Sequence, residues 1–515
     1  MVAEFRNHPL TDFSNEENKQ KQEAALAEVK RQFSREYPLW IGGKDVETGD
    51  ILRSYDPCQK DRVVGSFHRA QDAQAEQAIE AANKAFETWR FVEPEERAGY
   101  LFKAAELMRQ RQFELNAWMI FEAGKNWVEA DADTAEAIDF LEFYGREMVR
   151  YSQNQPLTPV PGERNEMFYI PLGAGAVIPP WNFPLAILAG MSSAAIVAGN
   201  TVVLKPASDS PTIGYKLVEI MKEVGLPAGV LNYIPGSGGV IGDTIVTHPK
   251  IRFITFTGSR EVGLRINELA AKPQPGQIWI KRVVAEMGGK DAILVDAEAD
   301  MESAVEGVAT AAFGFQGQKC SACSRAIVDA SIYDEFVEKL VLRTQKITMG
   351  PVENPDNFMG AVINKSAQDK TLKYISIGKE EGRLVQGGKS GPENGFYIEP
   401  TIIVDVDAKA RLAQEEVFAP VLAVIKARNF DHALEIANDT EYGLTGAVYS
   451  RNHDKLEQAR RIFHAGNLYL NRKCTGALVG GHPFGGFNMS GTDSKAGGKD
   501  YLLLFLQAKS VSEKI

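Results

Sequence analysis

The sequence alternates between long helical patterns and short, uninterrupted apolar runs. Over residues 72–85 and 93–124, apolar side chains recur at the spacing of one helix face, and a third helix is predicted over 128–144. Between residues 173 and 289, apolar runs of strand length alternate with helices, and a second block of the same kind follows. Such strands are typical of parallel βαβ units, which are buried on both faces of the sheet. The pattern therefore predicts an α/β protein whose two lobes meet near Glu286.

The first lobe is the more regular of the two. Its predicted strands lie in GAGAVI, TVVLK, VLNYI and RFITFTG, and its predicted helices span 185–198, 213–224, 240–247 and 261–271. In the second lobe, strands are predicted in DAILVD, AIVDA, FYIEPTIIVDV and VLAVIKA, and helices over 301–313 and 333–348. The chain contains no repeat of fixed period.

Composition and charge narrow the class of protein. The 515 residues include 57 Lys and Arg against 68 Asp and Glu, and a net charge of −11 argues against nucleic-acid binding, which usually needs a basic face. The longest apolar stretch, 185–199, contains two adjacent serines and is shorter than the ~20 residues that span a bilayer. The first twenty residues show no secretory signal. We therefore expect a cytoplasmic protein without a membrane segment.

The chain has four cysteines, Cys58, Cys320, Cys323 and Cys474, which are too few and too scattered for a disulfide framework. Cys320 lies in FGFQGQKCSACSR, where glycines allow close backbone approach. A thiolate is a strong nucleophile toward an aldehyde carbon, although a single cysteine is more often buried and inert. Cys320 and Cys323 also form a CxxC pair. This pattern alone is weak evidence for zinc or for thiol redox chemistry, and we predict no metal site.

Two more residues suit acid–base or oxyanion chemistry. Glu286 ends a predicted strand before Gly288 and Gly289, so it can project into a cleft where burial raises its pKa toward that of a general base. The alternative is that Glu286 is solvated, as most glutamates at strand ends are. Asn182 in PPWNFP offers a neutral NH2 group to an oxyanion, whereas the commoner use of a loop asparagine is an Asx-turn.

Glycine-rich turns and one lysine suggest a phosphate-bearing ligand. GSGGVIG at 236–242 only approximates a dinucleotide fingerprint. FTGSREVG is better placed, because Gly258 and Ser259 open a helix after an apolar strand, and free N–H groups at a helix N-terminus bind anions. Lys205 follows the strand TVVLK, at the edge where open α/β sheets bind ligands. Each signal is weak by itself, since lysines at such positions are often solvated.

Taken together, the motifs resemble those of the aldehyde dehydrogenase superfamily from about Leu39 onward. In chain order they are PWNFP, VLKPAS, FTGSREVG, EMGGK, GQKC, EEVFAP, YGLTGAV and PFGG. Eight motifs in this order with compatible spacing are strong evidence, unlike any one of them. The departures are Met287, where leucine is common, and Ala419, where glycine is usual.

The resemblance implies catalytic roles for three residues. Cys320 would be the nucleophile, Glu286 the base that activates the hydrolytic water, and Asn182, with the Cys320 N–H, the oxyanion hole. The implied route leads through a thiohemiacetal and a thioester to a free acid, because relatives that form acyl-CoA lack this base. A catalytically idle relative would lack one of the three, and all are present.

The resemblance implies NAD as the cofactor. The implied contacts are Lys205 and Glu416 with the two riboses, Phe418 beside the nicotinamide ribose, and Gly258 and Ser259 near the pyrophosphate. Relatives that strictly prefer NAD carry a glutamate three residues after the lysine. This chain has Ser208 there, so we expect NADP to be tolerated.

Three features resemble a subgroup that oxidises L-glutamate γ-semialdehyde to L-glutamate in proline catabolism: Ser321 after the nucleophile, SGTDSKAGGKDYLLLF near the end, and a helical extension at the start. The resemblance implies that Ser321 and the N–H groups of Gly497 and Gly498 form a nest for the substrate carboxylate. Phe183 and Phe505 would enclose its aliphatic part, and core packing is an even alternative for Phe505. Another semialdehyde, such as succinic semialdehyde, is the alternative substrate.

The resemblance also implies domain limits. The chain would comprise a helical N-terminal extension at 1–37, a Rossmann-like NAD-binding domain at 38–154 and 173–285, a catalytic domain at 286–498, and a small β oligomerisation arm at 155–172 and 499–515. A β-hairpin near 155–172 and the tail at 503–515 would cross into a partner subunit of a homodimer or hexamer.

Overall fold

The computed structural model describes residues 4–515, so the first three residues of the predicted extension lie outside the described part. In chain order, helices α1 to α15 span Glu16–Arg31, Asp72–Trp89, Pro94–Gln110, Gln112–Ala123, Trp127–Tyr151, Ala186–Val197, Pro211–Glu223, Gly238–Thr247, Arg260–Ala270, Met301–Phe313, Tyr333–Thr344, Lys365–Glu381, Arg411–Gln414, Phe430–Asn438 and His453–Ile462. Strands β1 to β21 span Arg35–Tyr37, Leu39–Ile41, Lys44–Val46, Ile51–Asp56, Gln59–His68, Glu163–Pro171, Ala174–Ile178, Thr201–Leu204, Leu231–Tyr233, Phe253–Thr257, Arg282–Glu286, Ala292–Val295, Arg325–Asp329, Arg383–Gln386, Thr401–Val404, Val421–Ala427, Tyr442–Gly443, Thr445–Tyr449, Asn467–Leu470, Phe487–Asn488 and Leu506–Lys514.

Two seven-stranded, mainly parallel sheets form the framework. The first has the order β11-β10-β7-β8-β9-β2-β3, with β2 antiparallel to both of its neighbours. The second has the order β14-β15-β16-β13-β12-β18-β19, with β14 antiparallel to β15. Strands β7, β8, β12, β15 and β18 are buried at every position, as expected for parallel strands covered on both faces. The predicted α/β class is confirmed.

The direction of the first sheet reverses beside β7. From β7 the chain moves to β8 and β9 on one side, and then to β10 and β11 on the other. At such a reversal, the loops that leave the carboxyl ends of adjacent strands diverge and open a crevice. Strand β11 ends at Glu286, and the chain enters the second sheet at Ala292. The crevice of the first sheet therefore lies where the chain passes between the two sheets.

The longest apolar stretch of the sequence is a buried helix. Helix α6 is buried at nearly every position and packs against helix α5 and strand β8. Among residues 4–515, no helix combines the length and the apolar character that crossing a membrane requires.

Several predicted boundaries differ from the structure. The helix predicted over 93–124 is divided at Arg111, whose backbone leaves the helical region and joins α3 to α4. Helix α5 continues to Tyr151. Strands β1 to β5 were not predicted, because three of them have only three residues and several of their positions are exposed, so the apolar alternation is weak.

The predicted hairpin at 155–172 is wrong. Residues 155–162 form no strand, and β6 instead pairs antiparallel with β21, from Leu506 opposite Pro171 to Lys514 opposite Glu163. Prolines at 156, 159 and 161 explain this difference, because proline lacks the N–H that a strand must donate. The arm is therefore a two-stranded ribbon made by β6 and the C-terminal tail.

The N-terminal extension is only partly helical. Residues 4–13, here called the N-terminal strap, have no helix or strand, and α1 begins at Glu16. The strap lies along α5, where Asp131 and Asp139 accept hydrogen bonds from it. Side-chain hydrogen bonds with distant residues, which local patterns do not reveal, hold this segment in place.

Gly175, in the middle of β7, provides a test of the packing between β7 and β10. The ring of Phe253 on the adjacent β10 occupies the space that a β-carbon at position 175 would need. Gly175→Ala should therefore destabilise the fold by about 1–3 kcal/mol and lower the midpoint of thermal unfolding. Gly99→Ala is the matched control, since Gly99 lies in α3 with open space beside it, and alanine is the better helix former. An unchanged midpoint for Gly175→Ala would contradict the packing.

Candidate active site

Residues from the two sheets meet at the crevice. The loop after β7 carries Asn182, β8 leads into Lys205, β10 leads into Gly258, and β11 ends at Glu286. Because these strands are parallel and paired in register, their carboxyl ends lie along one edge of the first sheet. Facing them are the segments that precede β12, β13 and β16, at the amino edge of the second sheet. The second group includes the loop of Cys320.

Two glycines hold these segments together. The Gly289 N–H donates to the Glu416 carboxylate at 3.1 Å. A β-carbon on Gly288 would collide with that carboxylate, and one on Gly289 would lie 2.6 Å from the Cys320 carbonyl oxygen and 2.6 Å from the Asp291 carboxylate. The EMGGK, GQKC and EEVFAP motifs can meet only because both positions lack a side chain.

Cys320 forms no disulfide, and the residue as a whole is partly exposed. Burial, followed by the negative charges of Asp291, Glu416 and Glu286, raises the pKa of its thiol. The backbone before it is bent by two residues with left-handed conformation, Phe315 and Gln316. The thiol is therefore protonated near neutral pH in this environment, and its reaction requires loss of that proton.

Asn182 joins the first lobe to the Cys320 loop. Its Nδ2 donates to the Gln318 carbonyl at 3.0 Å, and the Gln318 side chain in turn accepts the Ile363 N–H at 2.9 Å. Asn182 is buried, and its NH2 group makes no second hydrogen bond with residues 4–515. The structure therefore favours the oxyanion interpretation over a local Asx-turn, because the amide reaches a segment distant in sequence and keeps one hydrogen free.

The Glu286 carboxylate is enclosed by the C-terminal glycine-rich loop. One oxygen accepts the Ser494 hydroxyl, and the other accepts the Gly486 N–H at 3.2 Å. Burial raises the pKa of Glu286 to about 8, although both hydrogen bonds act in the opposite direction. A carboxylate with this pKa can accept a proton from water near neutral pH.

Lys205 lies at the carboxyl end of β8 with neutral partners. Its Nζ donates to the carbonyls of Pro206 at 2.9 Å and Gly236 at 3.3 Å. Burial lowers the pKa of Lys205 to about 8. Ser208, three residues on, is half-buried and uncharged. This end of the strand thus offers a buried ammonium group without a paired carboxylate among residues 4–515.

The other predicted cofactor contacts line the same crevice. Ser259 caps α9 by accepting the Val262 N–H at 3.4 Å, and Gly258 donates its N–H to the Glu286 carbonyl at 3.1 Å. Phe418 has a positive φ of 60° and packs edge-on against Trp181, with ring centroids 5.6 Å apart. The N-terminus of α9 and the Phe418 ring are therefore positioned by the same lobes that position Glu286 and Asn182.

The carboxylate anchor predicted at Gly497 and Gly498 is wrong. The Gly497 N–H donates to the Tyr144 hydroxyl at 2.8 Å, and the Gly498 N–H donates to the Lys495 carbonyl at 2.9 Å. A backbone amide has one hydrogen, so neither group is left for a substrate. Tyr144 lies 353 residues from Gly497 along the chain, and glycine spacing could not reveal it as the partner.

Phe505 lies in the core, which corrects its predicted substrate contact. It is fully buried, and its ring packs edge-on against Phe253 and Tyr501, with centroids 5.4 and 5.5 Å away. Phe253 begins β10, whereas the crevice lies at the opposite end of that strand. Phe183, in contrast, is partly exposed beside Asn182 and packs edge-on against Phe315.

The sequence analysis missed another glycine-containing turn, at residues 475–477, which directly follows a residue in contact with Ser321. The Cys474 thiol donates to the Ser321 carbonyl at 3.2 Å. The Arg472 guanidinium donates to the carbonyls of Thr475 at 2.9 Å and Gly476 at 3.0 Å. The sequence feature that could have indicated this turn is Gly476, a few residues before the PFGG motif.

The amides of this turn are available. The N–H groups of Thr475, Gly476 and Ala477 make no hydrogen bond with other described residues, and neither does the Ser321 hydroxyl. Gly476 has a positive φ of 80°, and a β-carbon there would make only ordinary contacts with the Arg472 and Lys473 side chains. Successive amides around such a residue form a concave site for an anion. We refer to residues 475–477 as the 475–477 turn.

A buried ion pair that the sequence analysis also missed lies beside Phe183. The Lys125 ammonium is fully buried, lies 4.1 Å from the Phe183 centroid and 4.3 Å from the Phe315 centroid, and pairs with Asp133 at 2.9 Å. Glu136 on the same helix as Asp133 has its pKa raised to about 8 by burial and then by the charge of Asp133. The contacts of Lys125 fix the Phe183 ring at the crevice, because a cation over an aromatic face is attracted to it.

The model of the aldehyde dehydrogenase family matches residues 43–511. The chain belongs to the aldehyde dehydrogenase family. It is 58% identical over 513 residues to 1-pyrroline-5-carboxylate dehydrogenase of Geobacillus kaustophilus, with both chains covered completely. The structure of a mutant of the Thermus thermophilus 1-pyrroline-5-carboxylate dehydrogenase superposes with a TM-score of 0.98 at 52% identity over 100% of both chains. A structure of the Thermus enzyme with bound NAD gives the same TM-score, identity and coverage.

The pH dependence of this aldehyde dehydrogenase should follow Glu286. A general base acts when ionised, so turnover should rise as the pH increases through about 8. Ser494→Ala removes a hydrogen bond that stabilises the ionised carboxylate, which raises the pKa further and shifts the rise in kcat to higher pH. The measurement is kcat against pH for both proteins.

Thr492→Val is the matched control for Ser494→Ala. The Thr492 hydroxyl lies in the same loop but bonds to the Ala285 backbone rather than to the Glu286 carboxylate. Its loss should leave the midpoint unchanged. A midpoint for Ser494→Ala that stays in place or moves to lower pH would contradict the assignment.

Proposed function

We propose that this chain oxidises L-glutamate γ-semialdehyde, formed from 1-pyrroline-5-carboxylate, to L-glutamate with NAD, in proline catabolism. Its identity to enzymes of that name over their full length supports the reaction. The observation that carries the choice of substrate is the free hydroxyl of Ser321, which follows Cys320 in the chain and whose carbonyl is bonded by Cys474, the residue directly before the free amides of the 475–477 turn. A substrate with an aldehyde at one end and a carboxylate at the other fits this pair of sites.

The chemistry begins at Cys320. The Cys320 thiol gives its proton to solvent, and the thiolate adds to the aldehyde carbon. The C=O electron pair moves to oxygen, where the Asn182 amide and the Cys320 N–H donate to it. The hydride that leaves this carbon is taken up by the nicotinamide, which is the chemistry that NAD supplies when bound. A thioester remains on Cys320. Glu286 takes a proton from the water that attacks this thioester, the C–S bond breaks, and the acid and the thiolate are released.

The residues at the crevice fit a dinucleotide. Lys205 has two carbonyl partners and Glu416 one amide partner among the described residues, so both retain hydrogen-bonding capacity for ribose hydroxyls. The pyrophosphate would lie against Gly258, whose N–H is already bonded to the Glu286 carbonyl, and would accept the Ser259 N–H, which has no partner among the described residues. Phe418 would pack beside the nicotinamide ribose. Because Ser208 adds no negative charge near Lys205, NADP should also be accepted.

At the substrate end, we assign the carboxylate to Ser321 and the 475–477 turn. One hydroxyl and up to three amides give the directional, charge-assisted hydrogen bonds that carboxylates prefer. Phe183, fixed between Lys125 and Phe315, would contact the methylene groups. Succinic semialdehyde also has a terminal carboxylate, and it therefore remains the alternative that an assay must compare.

We also propose a cytoplasmic homo-oligomer with the domain limits given above. The ribbon of β6 and β21 exposes Phe168 and Val511. A two-stranded ribbon is marginally stable in water unless another surface packs against it. A second subunit would supply that surface. Residues 163–171 and 506–514 form the paired part of the arm.

Glu286→Gln should separate the two halves of the reaction. Without the base, the thioester forms but is not hydrolysed, so a rapid burst of about one NADH per site should precede very slow turnover. The measurement is stopped-flow absorbance of NADH at high enzyme concentration. Cys320→Ser is the control and should give no burst. Steady turnover of Glu286→Gln at the wild-type rate would contradict the role of Glu286.

Substrate choice should reveal the carboxylate anchor. Wild-type protein should prefer 1-pyrroline-5-carboxylate over succinic semialdehyde and propanal in kcat/KM. Ser321→Ala should raise KM for the first by about 10- to 100-fold, the loss expected for a hydrogen bond to a charged group, and leave propanal unaffected. The measurement is steady-state NADH production with the three aldehydes.

Ser324→Ala is the matched control for Ser321→Ala. Ser324 lies in the same loop as Ser321, but its hydroxyl donates to the Asp291 carbonyl. This control should change KM little. A preference for succinic semialdehyde would favour the alternative substrate. Equal losses for Ser321→Ala with all three aldehydes would remove Ser321 from the anchor.

A further inference from the structure

The N-terminal strap contacts the loop that follows the 475–477 turn. The Asn7 side-chain amide donates to the Val479 carbonyl at 3.0 Å and to the Asp139 carboxylate at 2.8 Å. Val479 is buried, and its carbonyl is two residues beyond the turn. One amide therefore links helix α5 directly to the segment that ends the turn.

Two buried acids of α5 hold the strap on either side of this link. Asp139 also accepts the His8 N–H at 2.7 Å, so Asn7 and His8 share one carboxylate. Asp131, about two helical turns away, accepts the Thr11 N–H at 2.7 Å and the Thr11 hydroxyl at 2.8 Å. Hydrogen bonds to charged acceptors are the stronger kind, so the strap is firmly registered on α5.

Aromatic and backbone contacts complete the link. Phe5 packs edge-on against Phe143 of α5, with centroids 5.2 Å apart, and lies against Gly480. The Gly480 N–H donates to the Gly497 carbonyl at 2.9 Å, and the Gly497 N–H donates to Tyr144 of α5. The end of the turn is thus attached to α5 twice, once through Asn7 and once through Gly497.

The turn itself has few other supports. The Cys474 thiol holds the residue before it, and the Arg472 guanidinium holds the carbonyls of Thr475 and Gly476. Directly after it, Leu478 exchanges hydrogen bonds with His482 in the same loop. Gly476 in its middle has no side chain that could pack, and residues 471–486 contain no helix or strand. The position of its free amides relative to Ser321 therefore depends on what fixes the segment at Val479.

We propose that Asn7 is a positioning residue for the substrate carboxylate, acting through Val479 on the 475–477 turn. This inference rests on the proposed function, since it needs the turn to bind that carboxylate. Asn7 does not touch the reacting atoms. Its effect should appear in the binding of substrates that carry the carboxylate, because hydrogen bonds to an anion weaken when their donors shift by a fraction of an ångström.

The test is Asn7→Ala, assayed with 1-pyrroline-5-carboxylate and with propanal. Loss of one positioning hydrogen bond should raise KM for the carboxylate-bearing substrate about fivefold or more. The kcat for that substrate and the kcat/KM for propanal should stay at the wild-type values. Thr11→Val is the matched control, because it removes a hydrogen bond between the same strap and α5 at a distance from Val479.

The double variant Asn7→Ala/Ser321→Ala tests whether the strap acts through the anchor. If both residues serve one carboxylate site, the fold-increase in KM of the double variant should differ from the product of the fold-increases of the two single variants. If the residues act independently, it should equal that product. If Asn7→Ala does not fold, Asn7→Ser takes its place, because serine keeps a polar group but cannot reach both acceptors.

Three results would overturn the inference. An unchanged KM in Asn7→Ala, an equal loss with propanal, or the same KM increase in Thr11→Val would each reduce the strap to a role in stability. Failure of the wild-type protein to oxidise the semialdehyde would overturn the proposed function and the inference with it. The wild-type assay and the variant assay therefore distinguish the two failures.

Discussion

The close contact between the EMGGK segment and the Cys320 loop is the constraint on which the rest of the site depends. The first sheet presents its carboxyl edge, and the second sheet presents its amino edge, so their loops can interdigitate only if one backbone lies directly on another. Gly289 permits this against the Cys320 carbonyl, and Gly288 permits it against the Glu416 carboxylate. A larger residue at position 289 would move the Glu286 segment away from the Cys320 loop, and one at position 288 would move it away from Glu416.

Burial has the same effect on three ionisable groups of the crevice. It raises the pKa of the Cys320 thiol, raises that of Glu286 to about 8 and lowers that of Lys205 to about 8. Each group is pushed toward its neutral form, because removal from water disfavours charge. The charge of each of these groups is therefore less favoured in the crevice than in water.

Sequence reasoning located the candidate residues where one local motif lies beside one strand end, and their catalytic roles stay predictions. Asn182, Glu286 and Cys320 stand in short motifs beside predicted strand ends, and the parallel βαβ pattern already places such ends on one edge. It failed for Gly497, because the partner of the Gly497 N–H is Tyr144, which is distant in sequence. It also failed for Phe505, because that ring packs against Phe253 at the start of β10, whereas the crevice lies at the other end of the strand. Several glycine-rich turns look alike in sequence, and only their tertiary partners distinguish a free amide from an occupied one.

The strap also has a consequence for biosynthesis. Asn7 and Val479 are separated by 472 residues, which at about 5–20 residues per second take roughly half a minute to a minute and a half to translate. The strap can bind α5 as soon as that helix emerges, but its second acceptor does not yet exist. A nascent chain can therefore complete both seven-stranded sheets, the last strand of which ends at Leu470, before it completes the 475–477 turn. A chain truncated soon after Leu470 would contain both sheets but would lack that turn.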